Sequence, residues 1–258
     1  VEIKYRKLMP ETMKKLVLST LFLAVLLSSC SHYYYVPNVQ NVPLFKEKDE
    51  FRISAHYGGG DESVTGEIQT AYAITDKIGV AANYMHASGG NVSENDFGKG
   101  NYFEGAIGYF KPVSKSSVFE VYGGLGGGGQ HHEYQNHYDL SFSGDADLSC
   151  FKIYVQPAYG LTFNWLDVAF STRLSRVSYT NIEYSIFENP NIVNELESLS
   201  GKGHFFIEPG ITLRGGWKNI KAQVQYVYSG YLNNPKLYTF EEGHISIGLY
   251  IAIAKRYK

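Results

Sequence analysis

Phe151-Lys152-Ile153-Tyr154-Val155-Gln156-Pro157-Ala158-Tyr159-Gly160-Leu161-Thr162-Phe163 decides how this chain is read. Its odd positions are apolar or aromatic throughout; its even positions carry Lys152, Tyr154, Gln156, Thr162 and the small Ala158 and Gly160. Strand side chains point alternately to opposite faces, so this is one strand with a greasy face and a polar one. Ile245, Ile247, Leu249, Ile251 and Ile253 repeat the pattern, as do Phe205, Ile207, Pro209, Ile211 and Leu213. Working outward gives ten such runs, at about 51–58, 66–75, 78–87, 101–111, 117–127, 149–163, 166–179, 204–214, 220–229 and 244–254. Each is close to the ~9–11 residues that a tilted membrane strand needs. No ten-residue window beyond the N-terminal segment reads as an amphipathic helix.

The opposite face carries Arg52, Glu67, Glu104, Glu120, Lys152, Asp167, Arg173, Glu208, Arg214 and Lys221, separated by Gly and Ala. A soluble barrel turns its charges outward, and a membrane barrel turns them into its lumen. The connections discriminate. The even-numbered ones are short (75–77, 112–117, 164–165, 215–219) and the odd-numbered ones long (59–65, 88–100, 128–148, 180–203, 230–243). Tight periplasmic turns alternating with long outer loops predict an all-β, ten-stranded antiparallel up-and-down (meander) transmembrane β-barrel over residues 51–258. Both chain ends are then expected on the periplasmic side. A lipid-tethered soluble barrel is the alternative fold. Run-end aromatics are expected to form two interfacial girdles: Phe51, Phe110, Phe163, Trp165, Trp217 and Tyr257 below, with Tyr57, Tyr84, Tyr179 and Tyr228 above. The ten lumen charges, five acidic and five basic, read as a salt-bridge network filling a narrow barrel, against a wide diffusion channel. Gln156-Pro157 and Glu208-Pro209 recur 52 residues apart and predict a bulge or bend at each proline.

Composition agrees. The 258 residues include 22 Tyr, 15 Phe and 27 Gly but only 3 Met, 2 Cys and 2 Trp. A mean hydropathy of −0.22 excludes a helical membrane protein and leaves a barrel open. With 23 basic against 25 acidic side chains, nucleic acid is not an expected partner.

Upstream, Met13-Lys14-Lys15 precedes the largely apolar run 16–27 and then Ser28-Ser29-Cys30. This is a secretory signal, too short to span. Met13 fits as the true start, because Glu2 and Glu11 do not suit a signal. Leu27-Ser28-Ser29-Cys30 resembles a bacterial lipobox, which makes residues 1–29 the signal peptide, Cys30 the lipidated first mature residue, and 30–50 a periplasmic tether. That lipid is the only attached group expected, with no cofactor and, for Cys150, no disulfide partner.

The chain resembles a family of uncharacterised Bacteroidota outer-membrane β-barrel lipoproteins. The likeness is carried by Cys30-Ser31 with Tyr33-Tyr34-Tyr35-Val36-Pro37 and Asn41-Val42-Pro43-Leu44-Phe45. It continues at Gly100-Asn101-Tyr102-Phe103-Glu104-Gly105, Phe119-Glu120-Val121-Tyr122-Gly123-Gly124 and Thr212-Leu213-Arg214-Gly215-Gly216-Trp217. The resemblance implies lipoprotein-sorting and barrel-assembly machinery as partners and no established activity. The ending Lys255-Arg256-Tyr257-Lys258 departs from the usual terminal aromatic residue.

Other motifs yield less. Gly124, Gly126 and Gly129 satisfy G-x-G-x-x-G without a following helix, which points to close packing instead of a phosphate site. His131, His132 and His137 are candidate metal ligands, but adjacent histidines seldom reach one ion. His56, His86, His204 and His244 near the outer strand ends, with Asp61, Ser88, Asp96 and Ser246, form the first alternative, a barrel-embedded envelope hydrolase of lipid A deacylase or omptin type; a narrow transport pore is the second. The expectation is a non-enzymatic outer-membrane lipoprotein with a structural role or loops that bind a glycan, lipopolysaccharide or a protein.

Overall fold

The computed structural model describes residues 32–91, 96–135, 142–186, 190–233 and 239–255. Contacts divide the chain into Val1–Cys30 and Ser31–Lys258, and every described residue lies in the second unit. The signal segment, Met13, Cys30, His137, Asn189 and Tyr257 lie outside the described residues.

Eleven strands form one closed antiparallel sheet: β1 (Phe51–Gly59), β2 (Ser63–Ala73), β3 (Ile78–Asn91), β4 (Asp96–Pro112), β5 (Ser117–Gln135), β6 (Phe142–Thr162), β7 (Leu166–Ile186), β8 (His204–Gly216), β9 (Ile220–Tyr228), β10 (Gly230–Tyr231) and β11 (Gly243–Ile253). Neighbours in sequence are neighbours in the wall, and β1 closes on β11 from Phe51↔Ile253 to Gly59↔Ile245. β9 lies between β8 and β11. β10 pairs with β8 at Gly230↔Ile207, in the register that β9 sets at Val227↔Gly210. β9 and β10 are therefore one strand interrupted at Ser229, and the wall is a ten-stranded meander barrel.

The two faces fall as a membrane demands. Ile107, Leu125, Phe170 and Ile247 are about 60% exposed on the outside, while the ten charged residues of the other parity are all buried. An apolar exterior around a charged interior is stable only in lipid.

Several expectations are corrected. β4 to β7 run far beyond their predicted upper ends: β5 reaches Gln135, β6 begins at Phe142 and β7 reaches Ile186. Their upper parts carry polar residues on both faces, so the ladder continues after the hydrophobic alternation has stopped. The connection expected to be long at 59–65 is a tight turn over 60–62. Loop 180–203 contains a helix, α1 (Pro190–Leu199), where none was expected. Pro190 suits a first helical position, and Ile192, Leu196 and Leu199 share one face by i, i+4, i+7 spacing. Pro157 and Pro209 cause no bulge: the register is unchanged across both, and the shifts fall at Tyr134/Gln135 and Ser149/Cys150. Phe110 and Tyr179, assigned to girdles, are buried in the lumen, whereas Phe163, Trp165 and Trp217 are exposed at the short-turn rim.

The largest correction concerns the tether. Residues 34–45 are not outside the barrel; nearly all are buried within it. The chain enters at the long-loop mouth, where His32 meets Asp96, and descends to the short-turn mouth. There Lys46 donates to the Lys115 carbonyl and the Lys48 amide to Asp76. It then turns into β1. The two described ends of the chain consequently lie at opposite mouths.

Candidate functional site

The interior is layered around this segment. Near the long-loop mouth, Tyr34 and Tyr35 pack with Tyr134, Tyr179, Phe206 and the α1 residues Leu196 and Leu199. Near the short turns, Val42, Leu44 and Phe45 pack with Phe110, Val118 and Ala158. Between these apolar plugs lies a charged layer with the segment's Asn38 at its centre.

Asn38 donates from Nδ2 to Glu104 Oε2 at 3.0 Å, and its Oδ1 accepts from Lys152 Nζ at 3.2 Å and from Arg173 Nη1. Lys152 and Arg173 also pair directly with Glu104, at 3.0 and 3.4 Å. One carboxylate thus faces two cations, and the carboxamide of the threaded segment supplies a second acceptor for both. Tyr35 extends the layer, donating its hydroxyl to Glu208 at 2.7 Å and accepting from Lys152 at 3.1 Å.

The expected acid-to-base pairing holds only in part. Glu104 pairs with Lys152 and Arg173, and Asp167 with Lys221 at 2.7 Å. Arg52 pairs with Glu50, a segment residue not among the ten. Glu67 and Glu120 have no Lys or Arg within ion-pair distance among the described residues. Glu67 instead accepts the Val39 amide at 3.0 Å, and Glu120 accepts the Leu44 amide at 3.0 Å. Arg214 donates to the Val42 carbonyl at 2.8 Å, with its guanidinium 3.9 Å above the Tyr250 ring. The wall charges therefore satisfy the backbone of a segment that has no sheet partner along most of its path. Sequence reasoning missed this because a balanced set of five acids and five bases suggests self-pairing.

Two glycines mark the fit. A Cβ on Gly160 would lie 2.5 Å from the Leu44 side chain, and one on Gly79 would lie 2.9 Å from the Phe45 ring. Leu44 itself adopts φ 53°, a left-handed conformation unfavourable for a non-glycine residue, and the Glu120 bond and the Gly160 recess hold it there. Gly124 of the glycine motif is likewise a packing site, giving room to the Tyr154 ring.

The histidine candidates separate. His131 and His132 lie on strand β5, not on a loop, and point to opposite faces. His131 faces Asp147 at 2.9 Å; His132 is buried 3.3 Å from His32. Among the described residues no group of three or more potential ligands could hold a metal. His56, His204 and His244 are buried, bonded to Ser54, Tyr231 and Thr65 respectively. His86 is on the surface and bonded to Asn101. A space of about 70 Å³ lies at the long-loop mouth, bordered by Tyr33, Glu62, Tyr102 and His132.

Comparison with solved structures places the fold. The translocator domain of autotransporter NalP from Neisseria meningitidis is similar over 95% of this chain and 97% of its own, with a TM-score of 0.51 and 8% identity. The N-terminal β-barrel domain of Pseudomonas aeruginosa OprF matches over 80% and 99%, with a TM-score of 0.34 and 11% identity. The Escherichia coli outer membrane protease OmpT matches over 83% and 97%, with a TM-score of 0.39 and 8% identity. The fold is that of an outer-membrane β-barrel. No protein-family model matches the chain, and no curated protein matches it.

Proposed function

We propose that this protein is a closed outer-membrane lipoprotein, non-enzymatic, whose barrel is sealed by its own N-terminal segment and whose working surface is the long-loop end. The observation that carries the reading is the occupation of the lumen by residues 34–45, with apolar plugs above and below the charged layer. A solute crossing would have to displace side chains that bond to the wall at every level. The non-enzymatic reading is supported by the burial of His56, His132, His204 and His244, since a general base must reach its substrate. At the long-loop end, the tall β4 to β7 extensions and α1 offer Glu133, Asp145, Asp147, Glu183 and Glu197, an acidic platform suited to a glycan, lipopolysaccharide-bound cations or a basic protein.

Conductance across a planar lipid bilayer tests the closed state. The intact protein is expected to give no stable unitary conductance, and a variant lacking residues 33–46 is expected to give one. Steady conductance of the intact chain equal to that of the deletion variant would refute the sealed barrel.

A further inference from the structure

We propose that the upstream end of the threaded segment faces outward, so that His32 and Tyr33 are displayed at the cell-surface side of the outer membrane. The proposal deepens the sealed-barrel reading above and rests on the geometry of the segment.

The direction of the segment is fixed at both ends. At the long-loop mouth His32 Nε2 contacts Asp96 Oδ1 at 2.8 Å, the Tyr34 amide donates to the Thr239 carbonyl at 3.1 Å, and Tyr35 forms a parallel bridge with Phe240. At the short-turn mouth Lys46 and Lys48 bond to Lys115 and Asp76. Fourteen residue steps separate His32 from Lys46, a reach of roughly 46 Å at ~3.3 Å per residue, more than the ~25 Å apolar band of such a barrel. Long loops face the outside in barrels of this class.

Drawing the upstream end back to the periplasmic side would require the segment to leave the lumen, exposing the wall groups it now satisfies. The outward path is open on one side. β1 has nine residues against twenty-one in β6 and β7, so at a tilt near 40° the wall there rises about 23 Å, close to the apolar band itself. Tyr33 borders the same small cavity as Glu62 and Ser63 of the β1–β2 turn region. The low rim therefore lies beside the emerging chain.

The test is cysteine accessibility in a Cys150→Ser background, with folding read from heat-modifiable migration. Tyr33→Cys, Lys202→Cys at the long-loop end and Lys48→Cys at the short-turn end are each treated with a membrane-impermeant maleimide, in intact cells and after lysis. The expected result is labelling of Tyr33→Cys and Lys202→Cys in intact cells and of Lys48→Cys only after lysis. Protection of Tyr33→Cys in intact cells with labelling after lysis, while Lys202→Cys is labelled in both, would overturn the threading. If Tyr33→Cys does not fold, an epitope inserted between Ser31 and His32 takes its place, read by antibody on intact cells with the same two outcomes.

Discussion

Glu104 is the residue on which the charged layer turns, because Lys152, Arg173 and Asn38 all converge on it. Glu104→Gln leaves two buried cations facing a neutral amide. Removing one partner of a buried ion pair costs about 3–5 kcal/mol, so this variant is expected to lose its heat-modifiable folded form at a clearly lower temperature than the parent. Glu67→Ala removes the acceptor of the Val39 amide, and an orphaned buried donor costs about 1–3 kcal/mol, so a smaller shift in the same direction is expected. Gly160→Val acts differently, driving Leu44 out of its recess without touching a charge. Its expected signature is intermittent conductance in a bilayer with the barrel itself intact; a silent bilayer would show that Leu44 can repack.

At the scale of elements, α1 and the connection before β11 form the upper cover. Leu196 and Leu199 are fully buried in the aromatic cluster around Tyr34 and Tyr134, and each Leu→Ala change in such a core costs about 2–5 kcal/mol. Leu196→Ala with Leu199→Ala is expected to free the helix, seen as rapid proteolysis at 187–203 with the strands still protected. Glu241, on the connection from β10 to β11, accepts from Ser63, and burial, with Asp61 adding to it, raises its carboxyl from 4.5 to about 7. A carboxyl raised on folding holds its proton in the closed form and loses it in the open one. The closed connection is thus favoured at low pH and weakened as pH rises from about 4.5 through 7. Hydrogen exchange at residues 239–243, corrected for intrinsic rates, is expected to be faster at pH 8 than at pH 5, and Glu241→Gln is expected to flatten the difference.

The wall elements were legible in the sequence wherever one face is greasy and the other polar, as in Phe151–Phe163. They were illegible above the membrane, where β5, β6 and β7 have lost that contrast. The threaded segment was illegible for a related reason. Tyr33-Tyr34-Tyr35-Val36-Pro37 and Asn41-Val42-Pro43 have no periodicity, and prolines in such a stretch read as an extended linker. Its partners Glu67, Glu120, Arg173 and Glu208 are spread over four strands, so no local spacing announces them. The ten lumen residues are all buried; what they bind was not legible, because among the described residues Glu67, Glu120 and Glu208 meet the segment and no Lys or Arg within ion-pair distance.

For the molecule as a whole, a single covalent chain supplies both the wall and its filling. A wall bearing Glu67 and Glu120, which meet no Lys or Arg among the described residues, would hydrate if left empty, because carboxylates without a cation are costly to hold dry. Filling and sealing are therefore one event, and the barrel is complete only when the segment is inside. The most direct measurement of that claim is hydrogen exchange of the segment in the intact, membrane-embedded protein. The Val39, Gln40 and Leu44 amides, donated to Glu67, Gln225 and Glu120, are predicted to exchange as slowly as amides of β1 and β2, although they belong to no strand. Exchange of these three amides at the rate of an unfolded linker would contradict the occupied lumen.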